Sequence, residues 1–504
     1  MTRPATRRFV LRDREPIRAP GSIQPHGCLL ACDGTATRVL QHSTNAADML
    51  GHGGELLGAA LLDVLGQATL HDLRNAIATA PEGRQPAGIL GLALANGRRF
   101  DVAVHRADGH AILEFEAAAT GPDPLQRARA LIGRVSAIDD VDRLVARATR
   151  LAHAVLGYDR VMICRFEPDG AGKVVSEVKR PDLESFLGQY FPASDMPPQA
   201  QALALRNTLR LVSDAGAAPV PIVPGLDAAS RPLDLSLAHL RSVSPAHSEY
   251  LQDMGAAASM SISVIADGRL WGLIACHHRS PRVLSMAERT AAELFGQFFS
   301  LRLHALTQKR SLDAATEARR ALDRLLRLAS QPGDVEALLR GNLPDFARLL
   351  PCDGIGLWIG GAWSGHGATP PAEAMPALAA FVSGVANGRI WSTAGLSHHC
   401  PAAEADCAES SGLLAVPLSQ LPGDYLFFFR REVVRTLNRA GNPEKTCTGG
   451  PLGERLARPW SEADLEIAET TRVAAVEIVL RHPRASPRRA SGRASAGPGR
   501  PFST

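Results

Sequence analysis

The chain has 504 residues, enough for about three domains of ordinary size, and 45% of them are apolar, with a mean hydropathy of −0.03, as in a soluble globular protein. No apolar run reaches the ~18 residues of a membrane-spanning helix; the start, MTRPATRRFVLRDREP, has no hydrophobic signal core, and the eight cysteines follow no paired framework, so a cytoplasmic, reducing location is expected. The net charge of +4 is local: six arginines and no acids fall within residues 481–504, and taking them away leaves the rest of the chain at about −2.

Residues 1–20 are an Arg- and Pro-rich, extended stretch. Residues 21–120 read as a first α/β domain: LLACDG and TRVLQHS as strands around a turn, AADMLG as a short helix, and RRFDVAVHRADGHAILEFEAA as a hairpin turning at Asp108-Gly109. Residues 125–303 read as a second. DPLQRARALIGRVSAIDDVDRLVARATRLAHAVLG supplies its opening helices, GYDRVMICRFEP and KVVSEVKR are strands, QAQALALRNTLRLV is a helix, and a hairpin over 259–278, turning at Asp267-Gly268, closes the sheet. Ser259, Ser261 and Ser263 share one strand face, and His247 and Tyr250, three apart, share a helix face. Hydroxyls and imidazoles on an otherwise apolar sheet point to a pocket for a large, partly polar ligand.

Ser285 and Glu288 form a capping-box pattern that opens a long helix. Leu294, Phe298, Leu301 and Ala305 recur at three and four, Leu322 and Leu325 resume the pattern, and no Gly or Pro interrupts 297–331, so a continuous linker helix is expected over 286–330. Residues 331–482 read as a third α/β domain, with strands in IGLWIGG, LLAVPLS and DYLFFFR and helices in PAEAMPALAAFVSGVANG and SEADLEIAETTRVAAVEIVLR. The tail over 483–504 is low in complexity and too poor in apolar residues to fold. SHHCPAAEADC (398–407 holds its His and Cys residues) matches no standard zinc spacing, so a loop and no metal site is expected there.

DREPIRAPGSIQPHG (13–27), FLGQYFPASDMPPQA (186–200), LRSVSPAHSEYL (240–251), SMSISV (259–264) and WGLIACHH (271–278) together resemble the bacterial phytochromes, over about residues 10–480. The resemblance implies an α/β (α+β) architecture of three antiparallel-sheet domains, PAS, GAF and PHY, joined by the long helix. It implies that the N-terminal segment threads a loop of the GAF domain, here 213–239, with Ile23 as the plug. The family's ligand is a bilin. By position, Arg210 and Arg241 match its propionate-binding arginines, a role suited to a guanidinium fork. Ser244, Ser259 and Ser261 match hydroxyls beside them. Asp195 matches the residue whose backbone carbonyl accepts from the inner pyrroles, and His247 the imidazole that reaches them through water. His277 matches the imidazole on the D-ring carbonyl. Phe191 and Tyr250 match aromatic walls near that ring.

The departures are specific. Arg12, in LRDREP, stands where bacterial relatives carry the attachment cysteine, and Ala246 where plant and cyanobacterial ones do. Neither side chain offers a thiolate, so biliverdin is expected to be held non-covalently. Cys164 and Ala204 stand where the family has tyrosines; Cys28 is the thiol that a shift of the N-terminal segment would bring toward ring A. Arg439 replaces a tongue tryptophan, the Pro-Arg-x-Ser-Phe motif is absent, and neither Arg455 nor Arg458 is expected to replace its arginine. The leading expectation is a non-enzymatic red/far-red photoreceptor, homodimeric through the helix, signalling to a separate histidine kinase or transcription regulator, with no membrane or direct nucleic-acid contact. The alternative is a light-independent redox-sensing or dimerisation protein. No phosphate loop, triad or kinase motif supports an enzyme.

Overall fold

The computed structural model describes residues 17–79, 85–119, 123–329, 334–400, 410–419, 423–433 and 456–481. It divides into two compact units, one built from residues through Arg310 and the other from Ser311 onward. Arg12, Arg439, Arg455, Cys407 and the tail lie outside the described residues.

Among the described residues the first unit holds thirteen strands: β1 (Ser22–Ile23), β2 (Gly27–Asp33), β3 (Val39–Ser43), β4 (Ala87–Ala93), β5 (Arg99–Ala107), β6 (His110–Ala117), β7 (Arg160–Phe166), β8 (Gly172–Lys179), β9 (Tyr190–Phe191), β10 (Leu209–Val212), β11 (Val220–Val223), β12 (Ala258–Ala266) and β13 (Arg269–His278). They form a seven-stranded sheet, β1-β11-β3-β2-β6-β5-β4, and a six-stranded sheet, β10-β12-β13-β7-β8-β9. The β5–β6 turn takes φ of 48° at Asp108 and 80° at Gly109, and the β12–β13 turn 52° at Asp267 and 68° at Gly268. Both central residues sit at positive φ, the arrangement that matches the twist of a tight hairpin.

Strand β11 belongs in sequence to the 213–239 loop but in space to the first sheet, between β1 and β3. The segment 18–24 runs between the two arms of that loop. On one side Ile222 N–H donates to Gly21 O (3.0 Å) and Ile23 registers with Val220; on the other Gln24 N–H donates to Leu240 O (2.7 Å) and Ser242 N–H to Ser22 O (3.1 Å). Ile23 is 0% exposed and packs among Leu29, Ile222, Leu233, Leu235 and Leu240. Gln24, also buried, spends its side-chain amide on this junction: Oε1 accepts from Ser213 N–H (2.9 Å), and Nε2 donates to Leu211 O (2.9 Å) and Arg241 O (3.3 Å). A buried amide is tolerated because its donors and acceptor are met.

Two sequence expectations change in the second sheet. The helix expected across 199–212 ends at Arg206, and β10 follows. Asn207 turns into the β region (φ −120°, ψ 99°), and Leu209 and Leu211 alternate into the core, so strand pairing overrides the helical propensity of the run. With β10 outside it, the β12–β13 hairpin lies within the sheet and does not close it. Its inner face, Met260, Ile262, Val264, Ile274 and Cys276, packs on Leu144, Leu151, Phe295 and Phe299 of the helices.

The long helix runs unbroken for 44 residues, Met286–Ala329. Glu288 N–H donates to Ser285 Oγ (3.3 Å) while Glu288 Oε2 accepts from Ser285 N–H (3.1 Å), the reciprocal capping box. The stripe read as its seam is not the one that faces the core. Ala292, Phe295, Phe299, Leu303 and Leu306 fill the core, whereas Leu294 and Phe298 are half-buried, Ala305 is exposed and Leu301 is 70% exposed. Both stripes have helical spacing, and the larger aromatic content of the first decides which is buried.

In the second unit β14 (Gly354–Ile359), β15 (Ala362–Gly367), β16 (Trp391–Thr393), β17 (Gly412–Pro417) and β18 (Tyr425–Arg430) form a sheet in the order β15-β14-β18-β17-β16. Tyr425, Phe427 and Phe429 pack toward Met375–Ala386, while Leu426 and Phe428 pack toward Glu462–Arg481. Strands β15 and β16 were not anticipated, because AWSGHG and WST carry no apolar alternation. His398 and His399 end a short helix, Leu396–His399, and among the described residues no group of three or more His, Cys, Asp or Glu is arranged for a metal.

Truncating the plug should therefore be felt by the whole first unit. Ile23→Ala is expected to cost roughly 3 kcal/mol of stability, read as a lowered urea midpoint; an unchanged midpoint would show that the threaded segment carries no packing energy.

Candidate ligand cavity

The second sheet presents its other face to a cavity of about 570 Å³. Strand alternation builds that wall in rungs. Arg210, Ser261, Ala275 and Met162 register across β10, β12, β13 and β7; Ser259, His277 and Arg160 form the rung on one side, and Ser263, Leu273 and Cys164 the rung on the other. Opposite stand the 3-10 turn Ala193–Asp195, the helices Pro198–Arg206 and Pro245–Asp253, and Phe191. The eleven residues assigned from the sequence to the ligand site all line this cavity: Cys164, Phe191, Asp195, Arg210, Arg241, Ser244, His247, Tyr250, Ser259, Ser261 and His277.

The two arginines are its cations. Arg241 Nη1 donates to Ile17 O (2.7 Å) and Arg210 Nη2 to Ser242 O (2.9 Å), which fixes both side chains. Arg241 Nε and Arg210 Nη1 are buried and make no hydrogen bond. Burial brings Arg241 down to about 10. Arg210 is pushed down by withdrawal from bulk water and then by the like charge of Arg241. Two guanidiniums with spare N–H groups and mutual repulsion favour an anionic ligand, and an Arg–carboxylate pair is the geometry the fork suits.

The remaining polar groups are held in defined states. His277 is pushed down to about 3 by burial, then by Arg160 and His247, so it is neutral at physiological pH, and its Nδ1 is buried without a partner. Ser244 caps the Pro245–Asp253 helix, its Oγ accepting from His247 N–H (3.2 Å), with Pro245 at the first helical position. The hydroxyl is thus committed first to the helix. The cap also orients His247, whose ring stacks on Tyr250 at 5.8 Å between centroids. Phe191 meets Phe186 edge-on at 6.0 Å, and the Arg160 guanidinium lies 3.7 Å over Phe186 while pairing with Glu177.

Burial pushes the Cys164 thiol up to about 12, so it stands as a thiol against Val174, Phe191 and Ala275. It is the one cysteine among the described residues that lines the cavity. Cys28 does not: it points into the core of the first sheet with Leu30, Leu113 and Phe115, and burial raises it to about 12 as well. From that position Cys28 could approach a ligand only if its segment shifted, the condition read from the sequence. Sequence reasoning missed Ile17, Pro20 and Ser22, which the threaded segment adds to the wall, as well as Met254 and Asn207. The threading itself was the available signal for the first three.

Three family descriptions match the chain: PAS fold over residues 12–118, GAF domain over 140–303 and Phytochrome region over 318–484. A bacteriophytochrome of Xanthomonas campestris pv. campestris is 32% identical across 91% of this chain and 77% of its own length. The chain belongs to the phytochrome family. It carries a PAS fold, a GAF domain and a phytochrome region in that order, built of helices and antiparallel sheets. Cyanobacterial phytochrome B of Nostoc sp. and a bacteriophytochrome of Pseudomonas aeruginosa are each 34% identical over 93% of the chain, which spans 66% of the length of either relative. The crystal structure of the bacteriophytochrome RpBphP3 from the photosynthetic bacterium R. palustris superposes with a TM-score of 0.80 at 31% identity, covering 94% of this chain and 100% of that one.

Arg241→Ala removes one of the two cations and leaves an incoming carboxylate without its partner. It is expected to weaken bilin binding by about 2 kcal/mol, or roughly thirtyfold, in a spectroscopic titration; an unchanged affinity would remove Arg241 from the ligand site.

Proposed function

We propose that this phytochrome module senses red/far-red light through biliverdin held non-covalently in the cavity. The observation that carries the reading is the pair of buried guanidiniums with unsatisfied N–H groups on an otherwise largely apolar wall. In this reading Arg210 and Arg241 bind the two propionates, with Ser244, Ser259 and Ser261 beside them. The Asp195 carbonyl and His247 serve the inner pyrroles. Neutral His277 offers its free ring nitrogen to the D-ring carbonyl, and Phe191, Tyr250 and Cys164 wall that ring. Ala246 has no nucleophile, and Cys164 and Cys28 are protonated and buried, which supports a bilin without a thioether. The same protonated, buried thiols weigh against redox sensing.

Signal output in this reading passes through the long helix to a partner such as a separate histidine kinase or transcription regulator, in the cytoplasm. No described helix is long and apolar enough to cross a membrane. We propose a homodimer along the outward stripe of that helix, where Leu301 and Leu312 are 70% and 66% exposed. Heptad-spaced apolar residues of this kind bury themselves against a second copy. Light scattering at high micromolar concentration should give twice the monomer mass, and a monomer throughout would contradict it.

Biliverdin added to the apoprotein should give a sharp red absorbance that changes on illumination, and the pigment should leave the chain in acid urea. Absence of binding would overturn the photoreceptor reading, and pigment retained in acid urea would overturn the non-covalent one.

A further inference from the structure

Glu114 lies on β6, in the first sheet, yet its chemistry is directed at the cavity. It is 0% exposed. Its carboxylate accepts from the backbone N–H of His239 (Oε1, 3.1 Å) and of Leu240 (Oε2, 2.6 Å). These are the two residues immediately before Arg241, so a side chain of one sheet fixes the backbone that delivers a cation to the ligand site of the other. The Leu240 side chain also packs closely over Gly27, where a Cβ would fall 2.6 Å from it. Electrostatically Glu114 also stands behind the cavity: burial lowers both arginines, and the field of Glu114 opposes this at Arg210 and, after that of Asp234, at Arg241.

The groups facing Glu114 leave it poised. Burial raises its carboxyl to about 7, against the lowering effect of the Leu240 and His239 amides; Glu116 on its own strand raises it and Arg289 of the long helix lowers it. Glu116 is itself committed to Arg289 and lies 3.6 Å from His26. On β5, His105 sits 3.8 Å from Glu114 Oε1, too far for a hydrogen bond, and burial brings it down to about 3, so it is neutral. His239 is likewise brought down to about 4 by burial, and Asp234 is held by Arg18. Glu114 is the group in this set that changes charge near neutrality.

We propose that Glu114 is a positioning residue for the cavity, fixing the backbone that carries Arg241, and that a carboxylate ligand binding to Arg210 and Arg241 makes Glu114 take up a proton. The sign follows from linkage. The field that Glu114 exerts on Arg210 and Arg241 is reciprocal, so in the free protein both guanidiniums favour its carboxylate, in addition to Arg289. Ligand carboxylates neutralise them, the carboxylate loses that support, and its proton is held more tightly in the complex. A group whose pKa rises on binding favours the complex at low pH, and this contribution is lost as pH rises from about 7 through the bound-state value. The ligand half of the proposal rests on the bilin reading above; the link between Glu114 and the arginines does not.

The test has a ligand-free arm and a ligand arm. In the apoprotein, an infrared band of a protonated carboxylic acid should appear as pH falls through about 7. It should be absent in Glu114→Gln, and its midpoint should move up in Arg210→Gln and in Arg241→Gln. In calorimetry with biliverdin near neutral pH, using two buffers of different ionisation enthalpy, wild type should take up a fraction of a proton and Glu114→Gln none. A merely structural Glu114 would leave the band midpoint and the proton count unmoved. An unmoved midpoint in both arginine variants, or proton uptake unchanged in Glu114→Gln, overturns the proposal. A shifted midpoint with no biliverdin binding supports the link and overturns the bilin reading instead. Should Glu114→Gln fail to fold, the wild-type and Arg210→Gln midpoints decide.

Discussion

The pairing of residues 21–24 with both arms of the 213–239 loop is the constraint on which the cavity depends. Strand β11 crosses to the first sheet, Gln24 bridges Leu211, Ser213 and Arg241, and Ser22 and Ser242 join through their hydroxyls at 2.7 Å. None of these bonds is strong alone, since each contributes on the order of 1 kcal/mol net. Their effect is positional. They bring Ile17 O to Arg241 and Ser242 O to Arg210, and so fix where the cations stand. An unanchored loop would let each guanidinium turn to water, and the cavity would lose its preference for anions.

Holding two like charges in a partly dry cavity costs energy, and the protein offsets that cost unevenly. Each arginine has one backbone carbonyl and the field of buried acids, Asp234 and Glu114 for Arg241 and Glu114 for Arg210; among the described residues neither is ion-paired with a carboxylate, while Arg289 and Arg160 are paired outright with Glu116 and Glu177. Buried charge that is left short of a partner is expensive in the free state and is relieved by a ligand that brings the counter-charge. The same logic separates these arginines from the structural ones: the family motifs single out Arg210 and Arg241 by position, but only the pairing of Arg160 with Glu177 and of Arg289 with Glu116 gives the physical reason.

Much of the fold was legible because its signals are local. The Asp-Gly turns, the Ser285–Glu288 cap and the alternation of β12 and β13 each depend on a few neighbouring residues. The residues of the site were legible through long ordered motifs, and the structure brings them to one cavity. What failed were competitions settled by tertiary contact. QAQALALRNTLRLV has helical composition throughout, and only pairing with β12 converts Leu209–Val212 to strand. The long helix has two apolar stripes of the same period, and the core accepts the one bearing Phe295 and Phe299.

The cavity's cations keep their place only if the threaded segment and the loop act as one locked unit, and amide hydrogen exchange in the ligand-free protein measures this directly. The amides of Gln24, Leu240 and Ser242 should exchange as slowly as those at the centre of β12 and β13, opening only with the first unit as a whole. Fast exchange at these three amides, with β12 and β13 still protected, would show that the loop opens on its own and would contradict the claim that threading sets the place of the cavity's cations.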